Sequence, residues 1–193
     1  MKIETEIKLI LGDTNIENLV NNIEEAFDMK KTKSFHQTTH QFFFEDYTKQ
    51  VAFPRVRNEE NGQNTLTVKV KMKNNSKKES EYFKRIELDT NISDVDAVIK
   101  MMPFFGYPKK ITWEKKRINF ISNNNEKLDF ALSLDETPIG YFLEIESSEK
   151  IIEGIIKILG LENLERTNKA YLGLWVDFKK KNNIIDKDML FDE

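Results

Sequence analysis

Three pairs of carboxylates stand two residues apart along this chain: Glu4 with Glu6, Glu87 with Asp89, and Glu144 with Glu146. In each case the neighbouring residues alternate apolar with polar, which is the period of a β-strand. Residues i and i+2 of a strand share a face and lie about 6.5–7 Å apart. Two like charges at that spacing repel by roughly 0.6 kcal/mol in water and by several times more at a lower dielectric. Cations must offset them, and the chain carries cations in the same pattern: Arg55 with Arg57, Lys69 with Lys71, and Arg85. A charged face on one antiparallel strand simply meets water. Repetition in both signs, on several strands, predicts charged faces that meet one another.

The rest of the pattern supplies the elements. Strands are predicted over Lys2–Leu11, Phe35–Phe44, Val51–Asn58, Thr65–Lys73, Tyr82–Asp89, Lys109–Ile121, Lys127–Asp135 and Ile139–Ser147. A helix capped by Asp13 or Thr14 carries Leu19, Val20, Ile23 and Phe27, and further helices are predicted over Ser93–Phe105, Ile151–Leu159 and Arg166–Phe178. Eight strands and four helices in this order, with mostly hairpin connections, predict an α+β domain with a mainly antiparallel sheet. The helices need apolar sheet to pack on. The charged faces are then left together, and a strongly curved sheet can close around them as a lumen lined by both signs. Such a lumen suits a polyphosphate gripped by Arg and Lys, with divalent cations on the carboxylates. One domain over residues 1–178 with a loosely held tail at 179–193 is expected.

Composition excludes several classes. The 30 Lys and Arg against 33 Asp and Glu leave a formal charge of −3, which argues against a nucleic-acid partner. The 7 glycines are not clustered, so there is no Gly-rich phosphate loop, and phosphates must be held by side chains. The absence of cysteine removes disulfides, thiolate metal sites and thiol nucleophiles. No apolar run approaches the roughly 18–20 residues of a membrane span. The N-terminal segment carries acids where a signal peptide has basic and then apolar residues, so a cytoplasmic location with no membrane partner is expected. The two histidines, His36 and His40, would lie about 13 Å apart on a strand, too far to share one ion.

Glu4-Thr5-Glu6-Ile7-Lys8 fits an ExExK signature, and further motifs follow in order: Arg55-Val56-Arg57, Leu66-Thr67-Val68-Lys69, Arg85-Ile86-Glu87-Leu88-Asp89 and Lys115-Lys116-Arg117. They end with Leu134-Asp135-Glu136 and Ile139-Gly140-Tyr141-Phe142-Leu143-Glu144-Ile145-Glu146. From Glu4 to about Tyr171 this order resembles the CYTH superfamily, the triphosphate tunnel metalloenzymes, which includes class IV adenylyl cyclases and thiamine or inorganic triphosphatases.

The resemblance implies an eight-stranded, closed or near-closed antiparallel β tunnel with helices packed outside. It implies that Glu4, Glu6, Glu144 and Glu146, with Glu87 and Asp135, hold Mg²⁺ or Mn²⁺. Lys8, Arg55, Arg57, Lys69, Lys71, Arg85, Lys115 and Arg117 would grip the triphosphate. Lys8, Arg57, Lys69, Lys115, Arg117 and Asp135 would serve catalysis. Alternation agrees with these placements except on the Lys115 strand, where Ile111 and Trp113 share the parity of Lys115 and Arg117. The Leu134–Glu146 hairpin resembles class IV cyclases, which implies conversion of ATP to cyclic AMP and pyrophosphate. The alternatives are hydrolysis of inorganic, thiamine or nucleoside triphosphate, and a polyphosphate- or nucleotide-binding module without turnover. The oligomeric state is left open, with a homodimer as one form.

Overall fold

The computed structural model describes residues 2–46, 48, 50–71, 82–124 and 127–192. Of the expected strand Thr65–Lys73, the residues beyond Lys71 lie outside the described residues. Long alternating segments form the strands β1 (Lys2–Ile10), β3 (Phe35–Phe43), β4 (Ala52–Glu59), β5 (Asn64–Lys71), β6 (Phe83–Asn91), β7 (Lys109–Ser122), β8 (Ala131–Thr137) and β9 (Gly140–Glu146). Two short strands add to them: β2 (Met29–Lys31) and β10 (Arg166–Thr167). The helices are α1 (Ile16–Phe27), α2 (Val95–Met101) with a 3-10 turn over Met102–Phe105, α3 (Glu149–Ile158) and α4 (Tyr171–Asn182). None of these helices is long and apolar enough to cross a membrane.

All ten strands belong to one sheet with antiparallel pairings, so the expected count of eight is corrected to ten. The two strands that the sequence reading missed are too short for alternation to reveal. β2 extends β7 through Met29↔Ser122, and β10 lies beside β1 through Lys8↔Thr167. The path runs β1-β6-β5-β4-β3-β7-β8-β9, and β1 pairs β6 through Lys2–Glu6 and β9 through Glu6–Ile10. The sheet therefore curves around an interior.

The apolar strand faces point outward and carry the helices. Ile7, Leu9 and Leu11, Leu132 and Leu134 of β8, and Leu143 and Ile145 of β9 pack against Leu19, Val20 and Ile23 of α1 and Ile152, Ile155 and Ile156 of α3. Full burial of such side chains contributes about 1.5–3 kcal/mol each, which makes this the main core. A second cluster sets Val95, Val98 and Ile99 of α2 and Met102 over Phe42, Val56 and Leu66.

Local details differ from expectation for identifiable reasons. α1 is capped by Asn15, whose Oδ1 accepts from the Asn18 amide at 2.9 Å, rather than by Asp13 or Thr14. The last helix begins at Tyr171 because the Arg166–Thr167 backbone is taken up in pairing with Lys8 and Leu9. Met189 is 0% exposed and bridges Trp113, donating its amide to the Thr112 carbonyl at 3.0 Å, while its own carbonyl accepts from Glu114 N at 2.9 Å. Asp188 Oδ1 accepts from Thr112 N at 2.8 Å, so the end of the chain forms a strap along β7.

Candidate active site

Because alternate side chains of each strand point inward, the charged faces line one cavity of about 370 Å³. β1 brings Glu6 and Lys8, β4 brings Arg55, Arg57 and Glu59, and β5 brings Thr65 and Lys69. β6 adds Glu87 and Asp89, β7 adds Trp113, Lys115 and Arg117, and β9 adds Glu144 and Glu146. Six cations thus face six carboxylates among the described lining residues. Glu4, Lys71 and Arg85 belong to the same strands, and their side chains lie outside the described residues. Gln63, Asp89 and Asn91 line the cavity and are exposed, which places its mouth beside the β4–β5 turn. Gly62 takes φ +87° in that turn, a conformation costly for any residue with a Cβ.

The ion pairs fall into two groups. Lys69 Nζ reaches Glu87 Oε2 at 2.6 Å, and Arg55 Nη2 donates to Oε1 of the same carboxylate at 2.8 Å. Glu87 therefore holds two of the expected phosphate grips. Around β7 the second group is denser. Arg117 donates from Nε and Nη2 to the two oxygens of Asp135, both at 2.6 Å, and from Nη2 to Glu144 at 3.0 Å. Lys115 Nζ and Tyr171 Oη donate to Asp135 Oδ2 at 2.9 and 2.6 Å. Lys8 Nζ donates to Glu6 at 2.5 Å and lies 3.5 Å from Glu144. Asp135 itself is 0% exposed and does not line the cavity; it reaches the lumen through Lys115 and Arg117.

Burial and charge set the protonation states. Burial opposes the charge on Asp135, but Arg117 and Lys115 outweigh it and hold its pKa below the ordinary value. Glu144 is held well below its ordinary value in the same way, by Arg117 and Lys8 against burial. Burial also opposes the Lys8 charge, and Glu6 and Glu144 more than restore it, so its pKa is raised. Lys115 is the surplus cation on a carboxylate already met by Arg117: burial, then Arg117, bring it down to about 7. Arg57 is lowered to about 10 by burial and by Arg55 and Arg117, and its only described ion pair is Glu59 at 4.0 Å.

One end of the lumen is filled. Ile10, Trp113 and Phe142 follow Lys8, Lys115 and Glu144 on the inward face of their strands, and there Tyr171 and Trp175 of α4 pack on them with Met189. The apolar parity of Trp113 on the Lys115 strand has this origin. Lys8 and Lys115 place Nζ 5.3 and 5.2 Å from the Tyr171 ring centroid. Glu59, Trp113, Thr65 and Tyr171 carry no site role in the sequence pattern, and Asp89 stands there only as the partner of Glu87 on a charged face. Glu59 is legible in the same way, since it shares parity with Arg55; Tyr171 is not, because it reaches Asp135 from a helix 36 residues away.

The fit of a divalent cation rests on Glu6 and Glu146. They are Cα partners on adjacent strands and both line the cavity, with Glu144 next on β9. Like charges directly opposite one another are destabilising, and a hard cation with oxygen ligands offsets them. Among the described residues no group of three or more acidic or histidine side chains is placed to hold a metal ion. The arrangement suits an ion that completes its coordination with phosphate oxygens and water. Asp135 and Glu87 fit less well, since cations already meet both oxygens of each.

No protein-family model matches this chain. No curated protein matches it. Solved structures do. The PH1819 protein of Pyrococcus horikoshii OT3 is 21% identical, with 91% of this chain and 99% of that chain covered and a TM-score of 0.68. A Vibrio parahaemolyticus protein named "putative adenylate cyclase" is 18% identical over 91% of this chain and 98% of that chain, with a TM-score of 0.67. A Hippeastrum protein named "putative adenylyl cyclase", described as having a dominant triphosphatase activity, is 16% identical over 92% and 96%, with a TM-score of 0.57. The likeness spans nearly the whole of this chain and of each of these proteins, and the chain shares their fold.

Proposed function

We propose that this chain is a divalent-metal-dependent enzyme acting on a triphosphate held in the lumen, with conversion of ATP to cyclic AMP and pyrophosphate as the first reading. The observation that carries it is Arg57, a buried guanidinium crowded by Arg55 and Arg117, whose described ion pair to Glu59 spans 4.0 Å. A cation held there without a close counter-ion is an anion site. The six cations and six carboxylates of the lining balance, so a polyanionic tail needs further positive charge. Glu6 and Glu146, with Glu144 and Glu4 on the same two strands, would hold Mg²⁺ or Mn²⁺, which would supply that charge and polarise phosphate oxygens.

The residues of the chain bind and orient. Lys8, Arg55, Arg57, Lys69, Lys115 and Arg117 surround the tail, with Lys71 and Arg85 as further contacts, and Asp135 fixes Lys115 and Arg117 from behind. Glu87 fixes Arg55 and Lys69. In the cyclase reading the ribose 3′-hydroxyl attacks the α-phosphorus, and pyrophosphate leaves toward these cations. Positioning and electrostatic stabilisation supply most of the rate in such a transfer.

A second reading is hydrolysis of a triphosphate that has no base to place. It is favoured by the lining: Trp113 and Tyr171 are committed to the packing of α4, which leaves Phe53 as the remaining aromatic among the lining residues. Incubation with ATP and, separately, inorganic triphosphate, each with Mg²⁺ or Mn²⁺, followed by chromatography, separates the readings. Cyclic AMP with pyrophosphate supports cyclisation; orthophosphate without cyclic AMP, alongside ADP from ATP or pyrophosphate from inorganic triphosphate, supports hydrolysis; and no product from either substrate leaves only binding.

A further inference from the structure

Four adjacent positions in the lumen wall carry buried polar atoms with no hydrogen-bond partner: Trp113 Nε1, Thr39 Oγ1, Arg57 Nε and Thr65 Oγ1. They are not scattered. Thr39 is the Cα partner of Trp113 on one side and of Arg57 on the other, and Arg57 is the partner of Thr65. The four thus form one row across β7, β3, β4 and β5. Trp113, Arg57 and Thr65 line the cavity, with Thr39 fully buried between the first two. Trp113 is itself only 4% exposed.

A buried polar atom left unpaired costs about 1–3 kcal/mol, and native structures pair most of them with protein or water. The chemistry of the row says what partner it lacks. An indole N–H and a guanidinium Nε–H only donate, and threonine hydroxyls donate or accept. The row therefore demands acceptors. On the pairing path β3 and β4 lie across the sheet from β1 and β9, which carry Glu6, Glu144 and Glu146. A ligand between the two walls meets carboxylates and their cations on one side and donors on the other. A phosphoryl group, with several non-bridging oxygens, meets that demand without adding a donor of its own.

We propose that Trp113, Arg57 and Thr65, with Thr39 behind them, form a donor shelf for the phosphoryl oxygens of the bound triphosphate, which makes Trp113, Thr65 and Thr39 binding residues of the site. This rests on the lumen being a triphosphate site.

The test uses the full chain, Mg²⁺ and the non-hydrolysable imido analogue of inorganic triphosphate, with affinities from calorimetry. Thr65→Val and Trp113→Phe remove one donor each and are expected to weaken binding about ten- to a hundredfold, the loss of one hydrogen bond to an anion. Thr39→Val is expected to do the same and Thr39→Ser to restore it. Indole N–H signals in NMR give a second readout: Trp175 Nε1 already donates to the Lys187 carbonyl at 3.2 Å, so its signal should hold still while that of Trp113 shifts on binding. Should Thr39→Val fail to fold, the two other variants and the NMR shift decide. Affinities within twofold of wild type and an unmoved Trp113 signal mean that water fills the row, and the shelf falls while the triphosphate reading stands. A wild-type chain that does not bind the analogue overturns both.

Discussion

Asp135 receives both arms of Arg117, Nε at Oδ1 and Nη2 at Oδ2, each at 2.6 Å, from a position that does not itself line the lumen. Lys115 and Tyr171 add two more donors to Oδ2. Removing the charge leaves buried cations without a counter-ion, which typically costs 3–5 kcal/mol. Asp135→Asn is therefore expected to lower unfolding free energy by roughly that amount in urea melts. Pairing it with Lys115→Met should recover part of the loss, because the surplus cation is then gone; an additive double variant would show that the two do not interact.

Arg57 should show the opposite balance. Its guanidinium is buried, crowded by Arg55 and Arg117, and met only distantly by Glu59. Arg57→Gln relieves that crowding, so the melting temperature is expected to hold or rise. Turnover of a triphosphate should fall about a hundredfold, the usual effect of losing one donor to transition-state charge. Undiminished turnover on a folded background places the anion site elsewhere.

Glu6 and Glu146 face each other across β1 and β9. Glu6→Gln or Glu146→Gln is expected to weaken Mn²⁺ binding at least tenfold, measured by calorimetry with the imido analogue present. Unchanged affinity in both would falsify the metal assignment.

Lys115 gives a pH signature. Burial and Arg117 bring its pKa down to about 7 in the folded chain, whereas in the unfolded chain it returns to about 10.4. Below about 7 both states hold the proton. Between the two values the unfolded state binds more protons, so this residue makes stability rise with pH. The slope of melting temperature against pH from 7 to 10 should be more positive in the wild type than in Lys115→Met, and parallel curves would contradict the shift.

The strap at the end of the chain makes a further prediction. Met189 is fully buried against Trp113, Tyr171 and Trp175. Met189→Ala is expected to cost about 2–5 kcal/mol, readable as a lower urea midpoint and a changed tryptophan emission. A surface-like loss below about 0.5 kcal/mol would mean that the strap is not docked in solution.

Alternation made the long strands and the gathering of charge legible, because a two-residue period leaves little doubt about which side chains share a face. It could not show β2 and β10, whose few residues pair through backbone alone. Nor could it show α4 across the lumen: Trp113 sits at an inward position yet is apolar, and the reason lies in Tyr171 and Trp175, remote in sequence. The strap was missed for a related cause. The polar run Lys179–Asn183 reads as solvated, and it is, but it is followed by Met189, whose backbone bridges the edge of β7. Ion pairs such as Arg117–Asp135 follow from the register of β7 with β8, a long-range choice that no local pattern encodes.

The packing of α4 across one end also sets an order of traffic. With that end filled by Trp113, Phe142, Tyr171 and Trp175, the rim of Gln63, Asp89 and Asn91 is the opening that the described residues leave. For the proposed triphosphate, the part that penetrates deepest would leave last, and a fragment held by Lys8 and Arg117 would block the next arrival until it had gone. The pace of such a chamber is then governed by how readily its cations release an anion, and the carboxylates that share those cations make release easier.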